Sequence, residues 1–257
     1  MSQRVAWVTG GATGLGVMIA KGLAEDGYHI AVNYRKSREA AERLVSEIES
    51  IGREAMAMQG DVSQVEDVRR MSRSILERWG RIDVLVCTAG PFLFRHIRLT
   101  DLTDDEWREM VDGNLSGVFY CAREVIPHMR KQRFGRIITF GFPDVQNAPS
   151  WPGVSAYAAA KAGVVSLTRS MAEEEAPYGI TVNMVCPGDI RHPYKEAPIA
   201  AARGKKEPRN PVGRPGTGED VARVVRFLAH PDSDFITGGV IPVTGGFDNR
   251  DFRFSPT

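Results

Sequence analysis

Tyr157 and Lys161 stand four residues apart in the run Ser155-Ala156-Tyr157-Ala158-Ala159-Ala160-Lys161, whose alanines favour a helix. At about 3.6 residues per turn, that spacing stacks the two side chains on one face. A phenol titrates near ~10 in water, and an ammonium about one turn away favours its ionised form. The pair is therefore expected to bring the Tyr157 phenol toward the working range, so that it gives or takes a proton beside the Lys161 charge. Three alanines between them leave the face open to a flat ligand. The same spacing also occurs on ordinary surface helices, so the proton-transfer reading needs a second site for the pair to face.

A glycine-rich turn offers one. Thr9-Gly10-Gly11-Ala12-Thr13-Gly14-Leu15-Gly16 follows a short apolar run at 4–9 and precedes a helical pattern at 17–26. Gly10, Gly14 and Gly16, with Thr13 and Leu15 between them, let backbone approach a pyrophosphate, and the following helix supplies free N–H groups and a positive end. The spacing is not G-x-G-x-x-G, and it is the position between first strand and first helix that points to a cofactor turn. The second strand, 29–34, ends where an Asp or Glu would read a ribose 2′-hydroxyl. This chain has Asn33, Tyr34, Arg35, Lys36, Ser37 and Arg38 there. Three cations and no carboxylate favour NADP(H) over NAD(H), with Arg35 the first contact. NAD(H) stays as the alternative, because the same cations also suit a solvated helix entrance. Asp61, followed by Val62, is placed to accept from an adenine amino group or to cap the next helix, for which Ser63 is better placed. Cys87-Thr88-Ala89-Gly90 closes the fourth strand with small residues, as a flat ligand over the strand ends requires.

The elements that must position these residues alternate along the chain. Strands are expected at 4–9, 29–34, 55–59, 82–86, 136–140, 180–185 and 239–243, and helices at 17–26, 39–51, 65–79, 157–178 and 218–229. Thr103-Asp104-Asp105-Glu106 reads as the cap of a further long helix running to about residue 131, with Asn114 inside it. Residues 189–217, rich in Pro, Arg, Lys and Gly, read as a mobile segment with a short helix at 194–204, either a substrate lid or a surface excursion detached from the fold. The alternation implies an α/β protein with a parallel sheet covered by helices on both faces, formed by residues 1–257 as one domain. Ligands bind such sheets beyond the C-terminal strand ends. Gly10–Gly16, Asp61, Cys87–Gly90, Phe140–Phe142 and Pro187–Ile190 all fall at that edge.

Composition narrows the class. The 257 residues are 42% hydrophobic and 25% charged with a net charge of +1, which argues against nucleic acid or an anionic membrane as the main partner. No apolar run approaches the about 20 residues that span a bilayer, and the start shows no signal-peptide core. Cys87, Cys121 and Cys186 have neither metal-ligand nor disulfide spacing and read as small buried apolar residues. The expectation is a cytoplasmic protein without a metal.

Together these motifs resemble the short-chain dehydrogenase/reductase family along nearly the whole chain: Thr9-Gly-x-x-x-Gly14-x-Gly16, Asp61-Val62, Ala89-Gly90, Asn114, Tyr157-x-x-x-Lys161 and Pro187-Gly188. Asn33-Tyr34-Arg35 and the closing Thr237-Gly238-Gly239 and Gly245-Gly246 look most like 3-oxoacyl-[acyl-carrier-protein] reductases and bacterial glucose dehydrogenases. The resemblance implies a Rossmann-type, doubly wound, mostly seven-stranded sheet and NADP-dependent interconversion of a small-molecule carbonyl and an alcohol. It implies Tyr157 as general acid/base, Lys161 on the nicotinamide ribose and lowering the phenol, and Asn114 keeping a kink in its helix that seats a relay water. Pro187, Gly188 and Ile190 would join the cofactor contacts. A homotetramer or homodimer through the helices bearing Asn114 and Tyr157 is implied too, and residues 118–121 and 164–167 have apolar side chains to spare for it.

One departure bears on activity. The family's serine after the fifth strand would fall at Phe142 read forward from Gly135, or near Asp144 counted back from Tyr157; neither is a serine. Gln146, Asn147, Ser150 and Ser155 are the candidate substitutes. Phe92, Phe94, Phe140, Phe142, Trp151 and Tyr194 are candidates to line an aromatic substrate pocket, and His192 stands where a threonine often meets the carboxamide. The alternative to an enzyme is a dinucleotide-binding pseudoenzyme that acts as a sensor or assembly protein with little turnover.

Overall fold

In the computed structural model, which describes residues 3–93 and 95–247, the apolar runs become seven parallel strands. These are β1 (Val5–Thr9), β2 (His29–Tyr34), β3 (Ala55–Gln59), β4 (Val84–Cys87), β5 (Gly135–Phe140), β6 (Ile180–Pro187) and β7 (Val240–Val243). Their order across the sheet is β3-β2-β1-β4-β5-β6-β7, with register pairs such as Thr9↔Cys87 and Val86↔Ile138. Continuous burial of β1, β2, β4 and β5 follows from cover on both faces, which is why these strands read as unbroken apolar runs.

The covering helices are α1 (Leu15–Glu25), α2 (Arg38–Ser50), α3 (Val65–Trp79), α4 (Asp104–Val111), α5 (Gly117–Gln132), α6 (Ser155–Glu175), the short α7 (Ile199–Ala202) and α8 (Gly218–Ala229). One core packs α3, α5 and α6 on the sheet through residues such as Met71, Val125 and Val164. The other packs α1, α2 and α8 through Ile19, Leu44 and Val225. Buried Thr139 on β5 and Thr168 on α6 share a hydroxyl contact of 2.8 Å, which fixes the helix bearing Tyr157 against the sheet.

Three local expectations differ from the fold. The long helix from Thr103 does begin with a capping box between Thr103 and Glu106, but it is interrupted by a π-helical turn at Asp112–Ser116 before α5 continues it. Ser63 does not cap α3; Gln64 holds that position, and Ser63 instead donates from its amide and hydroxyl to Asp61 Oδ1 at 2.9 and 2.7 Å. The helix expected at 194–204 is broken into a single turn at Tyr194–Glu196 and α7, because Pro198 cannot donate and turns the chain between them. The three cysteines are buried free thiols, and among the described residues no helix is long and apolar enough to cross a membrane.

Candidate active site

The turn after β1 is built by close backbone approach. Gly10 has φ +59°, and a Cβ there would lie 2.9 Å from the Ala89 Cα, so only glycine lets this turn press on the end of β4. The Asn33 side chain, 2% exposed, accepts from Gly10 N at 3.1 Å and donates to Gly60 O at 2.8 Å. One buried amide thus ties the ends of β1, β2 and β3 together. Thr9 Oγ1 accepts from Ala89 N at 3.2 Å, and Thr88 Oγ1 donates back to Thr9 O.

These strand ends enclose a cavity of about 490 Å³. Gly10, Thr13, Tyr34, Arg35 and Lys36 border it on one side, and Asp61, Val62, Ala89 and Gly90 on the other. Arg35 reaches Asp61 Oδ2 at 3.4 Å and Glu109 Oε1 at 3.9 Å, so its charge is shared between two carboxylates. Burial acts to raise the Asp61 carboxyl, yet the hydrogen bonds from Ser63 and the Arg35 charge prevail and hold it below the ordinary carboxylate value.

The remaining expected cofactor residues lie off this cavity. Gly14 N donates to Glu196 Oε1 at 2.6 Å. Gly16 serves packing, since a Cβ there would stand 2.6 Å from Gly10 O. Leu15 is half-buried against the core of α1 and α8. Gly188 and Ile190 border a separate cavity of about 100 Å³ with Asn210 and Arg214, while Pro187 ends β6 opposite Val243. Residues 189–217 are not a detached excursion: Ile190 and Asn210 are buried, and Arg214 pairs with Asp220 through two hydrogen bonds of 2.8 and 2.7 Å.

Tyr157 and Lys161 share a face near the start of α6, with Lys161 Nζ 5.7 Å from the phenol ring centroid. Phe92 meets the ring edge-on at 4.9 Å, Trp151 lies 6.0 Å away and Phe142 6.1 Å, between centroids. The expected lowering of the phenol is not found. Burial pushes Tyr157 above its ordinary value, and the thiol of Cys186 adds to that direction. A four-residue spacing on an open helix face leaves water around the pair, whereas here three aromatic rings pack against that of Tyr157. Burial likewise drives the Lys161 ammonium down to about 8, opposed by Cys87 and Cys186.

Asn114 sits in the π turn at 1% exposure, and its amide nitrogen donates to Pro91 O at 2.9 Å and Met110 O at 3.0 Å. Its Oδ1 has no hydrogen-bond partner among the described residues. A Cβ on Gly90 would fall 2.3 Å from that oxygen and 3.7 Å from Lys161 Nζ, so Asn114, Lys161 and the cavity wall converge on Gly90.

Of the pocket candidates, Phe142 and Trp151 join Tyr157 in one core, with Phe142 4% exposed. Gln146 does not: it is exposed, contacts Asp144, and borders a groove along Ala162, Val165 and Arg169 of α6. Phe140 at the end of β5 and Tyr194 in the turn Tyr194–Glu196 pack instead into the core on the opposite face of the sheet. Asn147 is spent on Asp144 at 2.6 Å, and Ser150 and His192 are exposed. Phe94 lies outside the described residues. Two contacts escape the sequence: Asn33, whose only signal is a polar residue within an apolar strand, and Glu196, which lies 182 residues from Gly14 with no local signal.

The fold is that of an α/β protein with an open cavity at the carboxyl ends of its parallel strands. A family model described as enoyl-(acyl carrier protein) reductase matches residues 10–248. YtkK of Bacillus subtilis, named only as an oxidoreductase, is 48% identical over 249 residues, 96% of this chain and 97% of its own. The 3-oxoacyl-[acyl-carrier-protein] reductase FabG of Staphylococcus aureus is 40% identical over 94% of this chain and 96% of its own. The crystal structure of acetoin dehydrogenase YohF from Salmonella typhimurium superposes with a TM-score of 0.87 at 32% identity, covering 98% of this chain and 99% of that one. The chain belongs to the short-chain dehydrogenase/reductase family.

Proposed function

We propose that this chain is an NADP(H)-dependent reductase that converts a small carbonyl compound to an alcohol, or runs the reverse. The observation that carries the reading is the convergence of Asn114 Oδ1 and Lys161 Nζ on Gly90, at the wall of the cavity that Gly10 and Arg35 also border. A nicotinamide dinucleotide fits the residues present: Gly10 and Gly90 border the cavity without side chains, Arg35 and Lys36 bring cations to it, and Asn114 keeps a buried acceptor unused. Its adenosine half would be held by Arg35, Lys36, Asp61 and Val62, its phosphates by the Gly10–Gly16 turn, and its nicotinamide half by Lys161, Pro187, Gly188 and Ile190. When bound, the cofactor supplies or accepts a hydride.

In that reading Tyr157 gives a proton to the substrate oxygen or removes it. The rings of Phe92, Phe142 and Trp151 exclude water from the phenol and keep it protonated, which suits the acid role. Lys161 places its positive charge beside the oxygen as it becomes negative, and Asn114 Oδ1 accepts from the water that returns the proton. The absence of a carboxylate at the end of β2 and the presence of Arg35 and Lys36 support NADP(H) over NAD(H). The names of the relatives point to 3-oxoacyl thioesters and to acetoin-like hydroxyketones and diketones as substrates. We assign the whole chain to one catalytic domain, with residues 189–217 as its substrate segment, acting in the cytoplasm.

A second reading rests on Phe142, which we place where the family carries its serine. Phenylalanine cannot donate a hydrogen bond to a substrate carbonyl, and loss of one such donor typically costs ~10²–10³ in rate. If no other group takes over, the chain is a dinucleotide-binding protein with little turnover.

One assay separates the two. Purified protein is titrated with NADPH and NADH by fluorescence, then given ketones, diketones and 3-oxoacyl thioesters while oxidation of the reduced cofactor is followed. The enzyme reading expects NADPH to bind more tightly than NADH, and expects turnover that Tyr157→Phe lowers by about 10³ or more with cofactor affinity retained. Tight binding with no turnover, unchanged by Tyr157→Phe, leaves the second reading.

A further inference from the structure

Helix α1 begins without a cap of its own. Its N-cap is Gly14, which has no side chain, and its first turn holds no acidic residue. A helix start of this kind presents N–H groups and a partial positive charge to any anion that reaches it. The anion that reaches it here comes from the same chain. Glu196 Oε1 accepts from Gly14 N at 2.6 Å, the length of a charge-assisted hydrogen bond.

The turn that carries Glu196 is seated on the start of α8. Lys195 O lies where a Cβ on Gly218 would be only 2.0 Å away, so the absence of a side chain at 218 is what admits this segment. Glu219 Oε2 accepts from Ile199 N at 2.6 Å, and Glu219 N donates to Ala197 O at 3.4 Å, which holds the segment on the far side of the turn. The backbone of the strap is therefore anchored, while Glu196 is itself exposed, so turning its side chain into water breaks none of these anchoring contacts.

We propose that Glu196 is a built-in competitor for the pyrophosphate of the dinucleotide. The inference rests on the cofactor reading above. Gly14 N carries one hydrogen, and a phosphate oxygen at the α1 N-terminus needs the same donor that the carboxylate uses. The cavity beside Gly10, Arg35 and Asp61 stays open while the carboxylate is seated, because neither Gly14 nor Glu196 borders it. Competition thus falls on the diphosphate alone. Apparent affinity is the intrinsic affinity multiplied by the fraction of molecules in which Glu196 has swung away.

The test compares ligands with and without a diphosphate. NADPH, ADP-ribose and 2′-AMP are titrated by fluorescence or calorimetry against the wild type, Glu196→Gln and Glu196→Ala. Glu207→Gln serves as control, since it removes the same charge from the same segment at a residue paired with Arg209. Both Glu196 variants are expected to bind NADPH and ADP-ribose about three- to tenfold more tightly, with 2′-AMP affinity within about twofold of wild type. Glu207→Gln should match the wild type for all three. Unchanged NADPH affinity in both Glu196 variants overturns the proposal, as does an equal gain for 2′-AMP or in Glu207→Gln, which would mark a general charge effect. If the wild type and every variant ignore NADPH and ADP-ribose alike, the cofactor reading itself falls and takes this one with it.

Discussion

Lys161 carries an ammonium at 5% exposure among Cys87, Cys186 and the ring of Tyr157, and burial lowers it from 10.5 to about 8. An ammonium that titrates lower in the folded chain than in the unfolded one disfavours folding wherever it must be charged. That cost is complete below pH 8, shrinks as pH rises from about 8 to 10.5, and is gone above. Lys161→Met is therefore expected to be more stable than wild type at pH 7, on the order of 2 kcal/mol, with the difference narrowing toward pH 10. Urea denaturation at the two pH values measures it, and an equal difference at both would contradict the assignment. The pairing of Tyr157 with Lys161 was legible from a four-residue spacing. The direction of the phenol shift was not, because the wall around it comes from Phe92, Phe142 and Trp151, on the two loops that follow β4 and β5. Sequence spacing carries no information on where those loops close.

The interrupted helix running through α4 and α5 shows what an element can hide. Its start was readable in Thr103 and Glu106, and Asn114 was readable as a residue inside it. Periodicity did not show the π turn, since one residue of extra backbone leaves no mark over so short a stretch; only the family resemblance implied a kink at Asn114. That turn brings the Asn114 side chain to Pro91 O and sets its free oxygen against Gly90. Gly90→Ala should consequently cost about 1–3 kcal/mol by overpacking, read as a lower melting temperature. Adding Asn114→Ala should recover part of that loss, so that the double variant is more stable than the sum of the single effects allows. Strict additivity would mean that the two positions do not meet.

At the scale of the molecule, alternation of strand and helix gave the parallel sheet and its order follows from right-handed crossovers, so the edge where ligands bind was readable before any contact was known. Association was less so. Val118, Cys121, Val164 and Val165 are absorbed by the core, while Phe119 remains 42% exposed on α5 with Arg123 lying over its ring at 5.0 Å. An exposed aromatic residue of that kind on the helix next to α6 supports a homo-oligomer through this face. Light scattering at micromolar concentration is expected to give a multiple of the 28.3 kDa chain mass, and Phe119→Asp to lower it; a monomer at the outset would remove the proposal. The residues at 189–217 were the least legible stretch, because one of the contacts that order them reaches Gly14, 182 residues before Glu196.

Arg136 lies at the opposite edge of the sheet from the cavity, 2% exposed, stacked over Phe134 at 4.3 Å. It donates to the carbonyls of Gly135, Gly179, His230 and Pro231, at 2.9, 3.3, 3.4 and 2.8 Å. A single guanidinium thereby rivets the roots of two central strands to the end of the last long helix. With its heel nailed down in this way, the sheet leaves any yielding that a visiting nucleotide requires to be sought at the toe, where one carboxylate sits on Gly14 N.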